Sequence, residues 1–105
     1  MATSKRLGIL LKMTASPSAD SFAWYALALE YKGLGRTEDA LATFEELRQR
    51  DADYVPMYLM CATLLTEAGR PADAKDWLVR GLVVARKKGD GHAESEMQAA
   101  LSVLS

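Results

Sequence analysis

Apolar positions along this chain recur every three or four residues. From Trp24 they continue through Leu27, Ala28, Tyr31 and Leu34; from Ala40, through Leu41, Phe44 and Leu47. From Tyr58 they continue through Cys61, Ala62 and Leu65; from Ala74, through Trp77, Leu78, Gly81, Leu82 and Ala85. That spacing puts each set on one stripe of an amphipathic helix. No stretch of four or more residues alternates convincingly, so no strand is expected. Pro17, Gly35, Gly69 with Pro71, and Gly89 with Gly91 punctuate the pattern. The result predicts six helices, near 4–14, 20–33, 37–50, 54–68, 71–87 and 91–104. Turns this short make consecutive helices pack antiparallel.

The stops and starts have mechanisms. Gly35 and Gly69 stand where a helix ends in a left-handed residue, a conformation that costs glycine least. Pro71 suits a first helical turn, where its missing N–H has no intrahelical acceptor to lose. Asp20, Thr37, Asp53 and Asp90 are the expected N-caps of the helices that follow them.

A shift of 34 residues lays one half of the chain on the other. Trp24 falls on Tyr58, Ala28 on Ala62 and Gly35 on Gly69; Arg36 falls on Arg70, Asp39 on Asp73, Ala40 on Ala74 and Phe44 on Leu78. The small residues mark close helix approaches, and the large ones fill the space between units. A helix–turn–helix unit of this length and order resembles the tetratricopeptide repeat. Trp24, Leu27, Tyr31, Ala40 and Phe44 match its signature, with Ala28 in the small-residue slot. Tyr58, Cys61, Ala62, Leu65, Ala74 and Leu78 form a looser second copy, and the closing proline is replaced by Ala52 and Arg86.

The resemblance implies an all-α fold: antiparallel helix–turn–helix repeats in a short right-handed solenoid of about six helices, with residues 1–105 as one domain. Residues 21–54 and 55–88 are the two repeats. Residues 4–14 read as the second half of an incomplete repeat, because Leu10 and Met13 lie one period before Phe44 and Leu47, although Arg6 stands where an alanine is wanted. Residues 91–104 read as a capping helix, with Ala93, Met97, Ala100, Leu101 and Leu104 inward.

The resemblance also implies where a partner would lie. In this family the first helix of each unit lines a concave face that commonly holds peptides. By register, that face comprises Phe22, Tyr25, Ala26, Leu29, Lys32 and Gly33, then Pro56, Leu59, Met60, Thr63, Thr66 and Glu67. Leu29 and Leu59 are equally readable as groove or as core beneath the last helix. Repeats that grip the acidic tails of heat-shock chaperones use lysine, arginine and asparagine there. This chain contains no asparagine, and the face carries only Lys32, so an apolar helix or extended peptide suits it better.

Composition narrows the classes without naming one. The formal net charge is −1, which gives no global field for nucleic acid or anionic membrane. Apolar runs fall short of the roughly 20 residues a membrane span needs. "LGILL" is too short for a signal-peptide core and is followed by Lys12, so cytoplasmic residence is expected. Cys61 is the single cysteine and reads as a small buried hydrophobe. His92 is the single histidine, without a partner at metal-ligand spacing. No catalytic residue, metal or cofactor is expected, and the chain reads as a protein- or peptide-binding scaffold. Two alternatives remain: self-association through an apolar face or an open end near Leu7, Leu11 and Leu104, and nucleic-acid binding through residues 70–88. That stretch holds six bases against Asp73 and Asp76, while residues 38–53 hold six acids against Arg48 and Arg50. No exposed-stripe aromatics interleave with the bases, which disfavours nucleic acid.

Overall fold

The computed structural model describes residues 2–104. They form six helices: α1 (Lys5–Thr14), α2 (Ser21–Gly33), α3 (Thr37–Arg50), α4 (Pro56–Glu67), α5 (Pro71–Lys88) and α6 (Gly91–Leu104). No strand occurs among the described residues. Every helix lies within two residues of its expected bounds. The chain divides after Asp51 into two compact units, α1–α3 and α4–α6.

Three helices end on the same device. Gly35, Gly69 and Gly89 are left-handed, at φ 74°, 76° and 69°. The amides of Arg36, Arg70 and Asp90 reach back to the carbonyls of Tyr31, Leu65 and Ala85 at 2.9, 2.8 and 2.9 Å. The glycine amides bond the Lys32, Thr66 and Arg86 carbonyls at 3.1 Å each, and the two bonds together satisfy the last orphan carbonyls of the helix.

The expected caps divide. Asp20 accepts from the Ala23 amide at 2.9 Å, and Asp90 accepts from the Ala93 amide at 3.0 Å. Thr37 does not cap α3: it is the first helical residue, and Arg36 occupies the cap without a side-chain bond. The glycine turn brings the chain into the helix one residue early, and Arg36 Nε instead donates to Asp39 at 2.8 Å. The second repeat copies this, with Arg70 Nε donating to Asp73 at 3.0 Å. Asp53 does not cap α4 either, because the helix begins at Pro56 behind an already helical Val55. Asp53 pairs with Lys87 at 3.0 Å instead.

In the first unit α2 packs between α1 and α3. Leu7 and Leu10 of α1 bury against Leu27, with Trp24, Tyr31 and Leu34 at the margin. Leu7 is therefore unavailable for the end-to-end contact expected of it. Ala28 and Ala40 are wholly buried, as a close helix crossing requires. The Phe44 ring, wholly buried, meets Tyr25 edge-on at 6.4 Å. Trp24 is only half-buried, and the Arg50 guanidinium lies 4.4 Å from its ring centre.

In the second unit α5 packs against both α4 and α6. Ala62 and Ala74 are buried at the α4–α5 crossing. Tyr58 and Trp77 pack with ring centres 5.7 Å apart, and the Tyr58 hydroxyl donates to the Ala52 carbonyl at 2.6 Å. Met97 is the buried residue of α6. It reaches Gly81, where a Cβ would stand 2.5 Å from its sulfur and 2.6 Å from Tyr58 Cβ. Only a residue without a side chain fits between the two flanking helices.

Candidate partner-binding site

Each unit carries its own groove beside its first repeat helix. In the first unit, Ala26 and Leu29 of α2 face Arg6, Ile9 and Leu10 of α1 across a cavity of about 540 Å³. Glu30 closes one side; its carboxylate accepts from the Ser4 hydroxyl at 2.8 Å and lies 3.7 Å from Arg6. The other expected contact residues of this helix are outside the cavity. Phe22 is 65 % exposed. Tyr25 is half-buried against Phe44, and Lys32 is half-buried. Gly33 is exposed.

In the second unit, Leu59, Thr63, Thr66 and Glu67 line a groove of about 240 Å³ together with Ala62 and Leu78. Ala100, Val103 and Leu104 of α6 form its other wall. The two threonine hydroxyls donate to the Leu59 and Ala62 carbonyls of their own helix, each at 2.8 Å. Their hydrogen-bonding capacity is thus met locally, and the groove is left with an apolar lining. Thr63, Thr66 and Glu67 are exposed, so α6 walls the groove without closing it. Met60 is half-buried and Pro56 exposed, both outside the groove.

Arg6, Ile9 and Glu30 in the first groove, and Val103 in the second, were not foreseen as lining residues. Glu30 lies on α2 itself, beside Leu29, but Arg6 and Ile9 come from α1 and Val103 from α6, the two helices outside the full repeats, to which a register of first helices does not point.

Neither Cys61 nor His92 lines either groove. Cys61 is 1 % exposed. His92 is exposed and sits 2.9 Å from Glu96. Among the described residues, no group of three or more His, Cys, Asp or Glu could hold a metal ion. On α5, Arg70 meets Asp73, Arg80 meets Asp76, Arg86 meets Glu94 and Lys87 meets Asp53, at 3.0, 3.1, 2.6 and 3.0 Å. Four of the six bases there already have acidic partners within the same unit. Among the described residues, no helix is long and apolar enough to cross a membrane.

The fold has relatives among known proteins. The family model of the tetratricopeptide repeat matches residues 33–104, a stretch that runs through α6. A tetratricopeptide repeat domain protein from Salinibacter ruber, solved in solution, is 38 % identical over 85 % of this chain and 89 % of its own, with a TM-score of 0.79. A crystal structure of a tetratricopeptide repeat domain protein from the same organism is 39 % identical over 81 % of this chain and 96 % of its own, with a TM-score of 0.76. A protein from Bordetella parapertussis shares the fold at a TM-score of 0.81 over 97 % of this chain and 89 % of its own, at 22 % identity. No curated protein matches the chain significantly. With the helix pairs, the alanine crossings and the glycine stops recurring at 34 residues, the chain belongs to the tetratricopeptide repeat family, a family of protein-interaction scaffolds.

Proposed function

We propose that this chain is a non-catalytic adaptor that holds an apolar protein or peptide segment in the grooves beside α2 and α4. The observation that carries this reading is the α4–α6 groove: it is open, lined by aliphatic side chains, and its hydroxyls are internally satisfied. Such a surface favours aliphatic side chains of a partner, because burying them removes apolar area from water at roughly 25 cal/mol per Å². Glu67 at the edge supplies one polar contact to fix direction. In this reading Ala26, Leu29, Leu59, Thr63, Thr66 and Glu67 meet the partner inside the grooves, while Phe22, Tyr25, Lys32 and Met60 meet it outside them, in the cytoplasm and without a cofactor.

The test is affinity capture from lysate with the wild type beside a Thr63→Glu variant. Thr63 is exposed and its hydroxyl bonds only its own helix, so this change leaves the core intact. A partner held by the wild type and lost by the variant supports the reading. A partner retained by the variant places binding elsewhere. Recovery of untagged copies of the chain alone favours self-association. Nucleic-acid binding is the weaker reading, given the ion pairs along α5, and it would show as capture that collapses steeply with salt.

A further inference from the structure

The repeat register gives every position on α1 two counterparts. Leu10 corresponds to Phe44 and Leu78, and all three are buried. Ile9 corresponds to Thr43 and Trp77, which are each 7 % exposed, yet Ile9 is 60 % exposed. Met13 corresponds to Leu47 and Gly81, both buried, yet Met13 is 48 % exposed. In the second unit Tyr58 of the preceding helix packs on Trp77 and touches Gly81, which Met97 of the following helix covers from the other side. Among the described residues, no helix stands in the equivalent seat on α1.

The seat has a definite chemistry. Residues 2–19 contain Lys5, Arg6 and Lys12 and no acid. Among the described residues, Arg6 has Glu30 at 3.7 Å, while Lys5 and Lys12 have no acidic partner. Lys5, Ile9 and Lys12, at helical spacings of four and three, lie on the side of α1 away from buried Leu7, Leu10 and Thr14. Gly8 stands among them, and a Cβ there would meet nothing within 4 Å. A mid-helix glycine is unfavourable by about 0.5–1 kcal/mol relative to alanine, and no contact among the described residues accounts for it. A bare backbone on the uncovered face lets another helix approach closely.

We propose that α1 docks an acidic amphipathic helix of a partner protein, antiparallel to itself, completing the repeat of which α1 is the second half. Its anchor is a bulky aromatic side chain, the counterpart of Trp24 and Tyr58, seated over Ile9 and Met13. Its acids lie opposite Lys5 and Lys12. This face is additional to the first-helix grooves, though Ile9 borders both.

The probe is a synthetic peptide with the sequence of residues 20–35 and Lys32→Glu, which supplies one tryptophan and three acids. Fluorescence anisotropy with the full chain at low salt is expected to show saturable binding. A Lys12→Glu, Met13→Glu variant, verified as folded by circular dichroism, should bind at least about tenfold more weakly. A peptide with its three acids replaced by lysine should lose affinity for the wild type by a similar factor, which tests the charge argument without altering the protein. Thr63→Glu should leave peptide binding unchanged, so failure here is distinct from failure of the reading of the α4–α6 groove. Absence of binding, or binding indifferent to both changes, overturns the proposal. So does adsorption to phosphatidylserine vesicles without peptide binding, which assigns the face to a lipid surface. Dimerisation abolished by the Lys12→Glu, Met13→Glu variant in the absence of peptide also overturns it, by assigning the face to a second copy.

Discussion

A Cβ placed on Gly81 would stand 2.6 Å from Tyr58 Cβ, closer than side chains in folded proteins approach. The contact is made by an atom fixed to the α4 backbone, so it cannot be relieved by a rotamer change. On the other side Met97 closes the space at 2.5 Å from the same point. Gly81→Ala is therefore expected to destabilise by roughly 1–3 kcal/mol through overpacking, despite alanine's better helix propensity. Gly8→Ala is the control with the opposite sign. Its Cβ meets nothing within 4 Å, and a gain of about 0.5–1 kcal/mol is expected. Urea unfolding of both variants measures the pair; equal signs would refute the packing argument.

Ala28 of α2 and Ala40 of α3 are both wholly buried, and the two helices pack together. Ala28→Leu should force the helices apart and lower stability by roughly 1–3 kcal/mol. A thermal melt unchanged from wild type would show that the register of the repeat is misplaced.

Trp24 is half-buried, unlike its counterpart Tyr58, and its indole Nε1 is buried without a hydrogen-bond partner. Trp24→Ala is thus expected to cost about 3 kcal/mol, the low end of the range for large aromatics. Arg50→Ala removes the guanidinium stacked 4.4 Å from the ring centre together with its exposed ion pair to Glu46 at 3.1 Å, for a loss of about 1 kcal/mol. Chemical denaturation of the two variants and their double mutant separates the cation–π contribution from the packing.

Asp90 and Asp53 look equivalent in sequence but do different work. Asp90 caps α6 through the Ala93 amide, so Asp90→Ala should lower stability by about 1 kcal/mol. Asp53 forms an ion pair with Lys87, whose side chain is 64 % exposed, so loss of that pair should cost at most about 1 kcal/mol. Raising salt should shrink the Asp53 effect and leave the Asp90 effect largely in place. Denaturation of each variant at low and high ionic strength distinguishes them.

Gly35 and Gly69 hold φ of 74° and 76°, so alanine at either should cost roughly 1–2 kcal/mol by strain alone, since neither Cβ would meet a neighbour. Asparagine should cost less, and comparing the melts of the two replacements isolates the backbone term.

The helices, their stops and the small-residue crossings are legible in the residues alone, because they depend on local chemistry and on a period the chain writes twice. Apolar spacing sets the buried stripe, glycine sets the left-handed end, and alanine at positions 28, 40, 62 and 74 sets the close approach. Tertiary structure decided what depends on where two distant segments meet. Thr37 and Asp53 lost their capping roles to turn geometry: Arg36 holds the cap of α3, and α4 starts three residues beyond Asp53, which pairs with Lys87 instead. Ile9 and Glu30 became neighbours in one groove, and Thr63 and Val103 in another, because α1 and α6 pack beside helices that a repeat register does not pair with them. A 34-residue period records what recurs between repeats; the walls of these grooves come from the two helices that have no full repeat of their own.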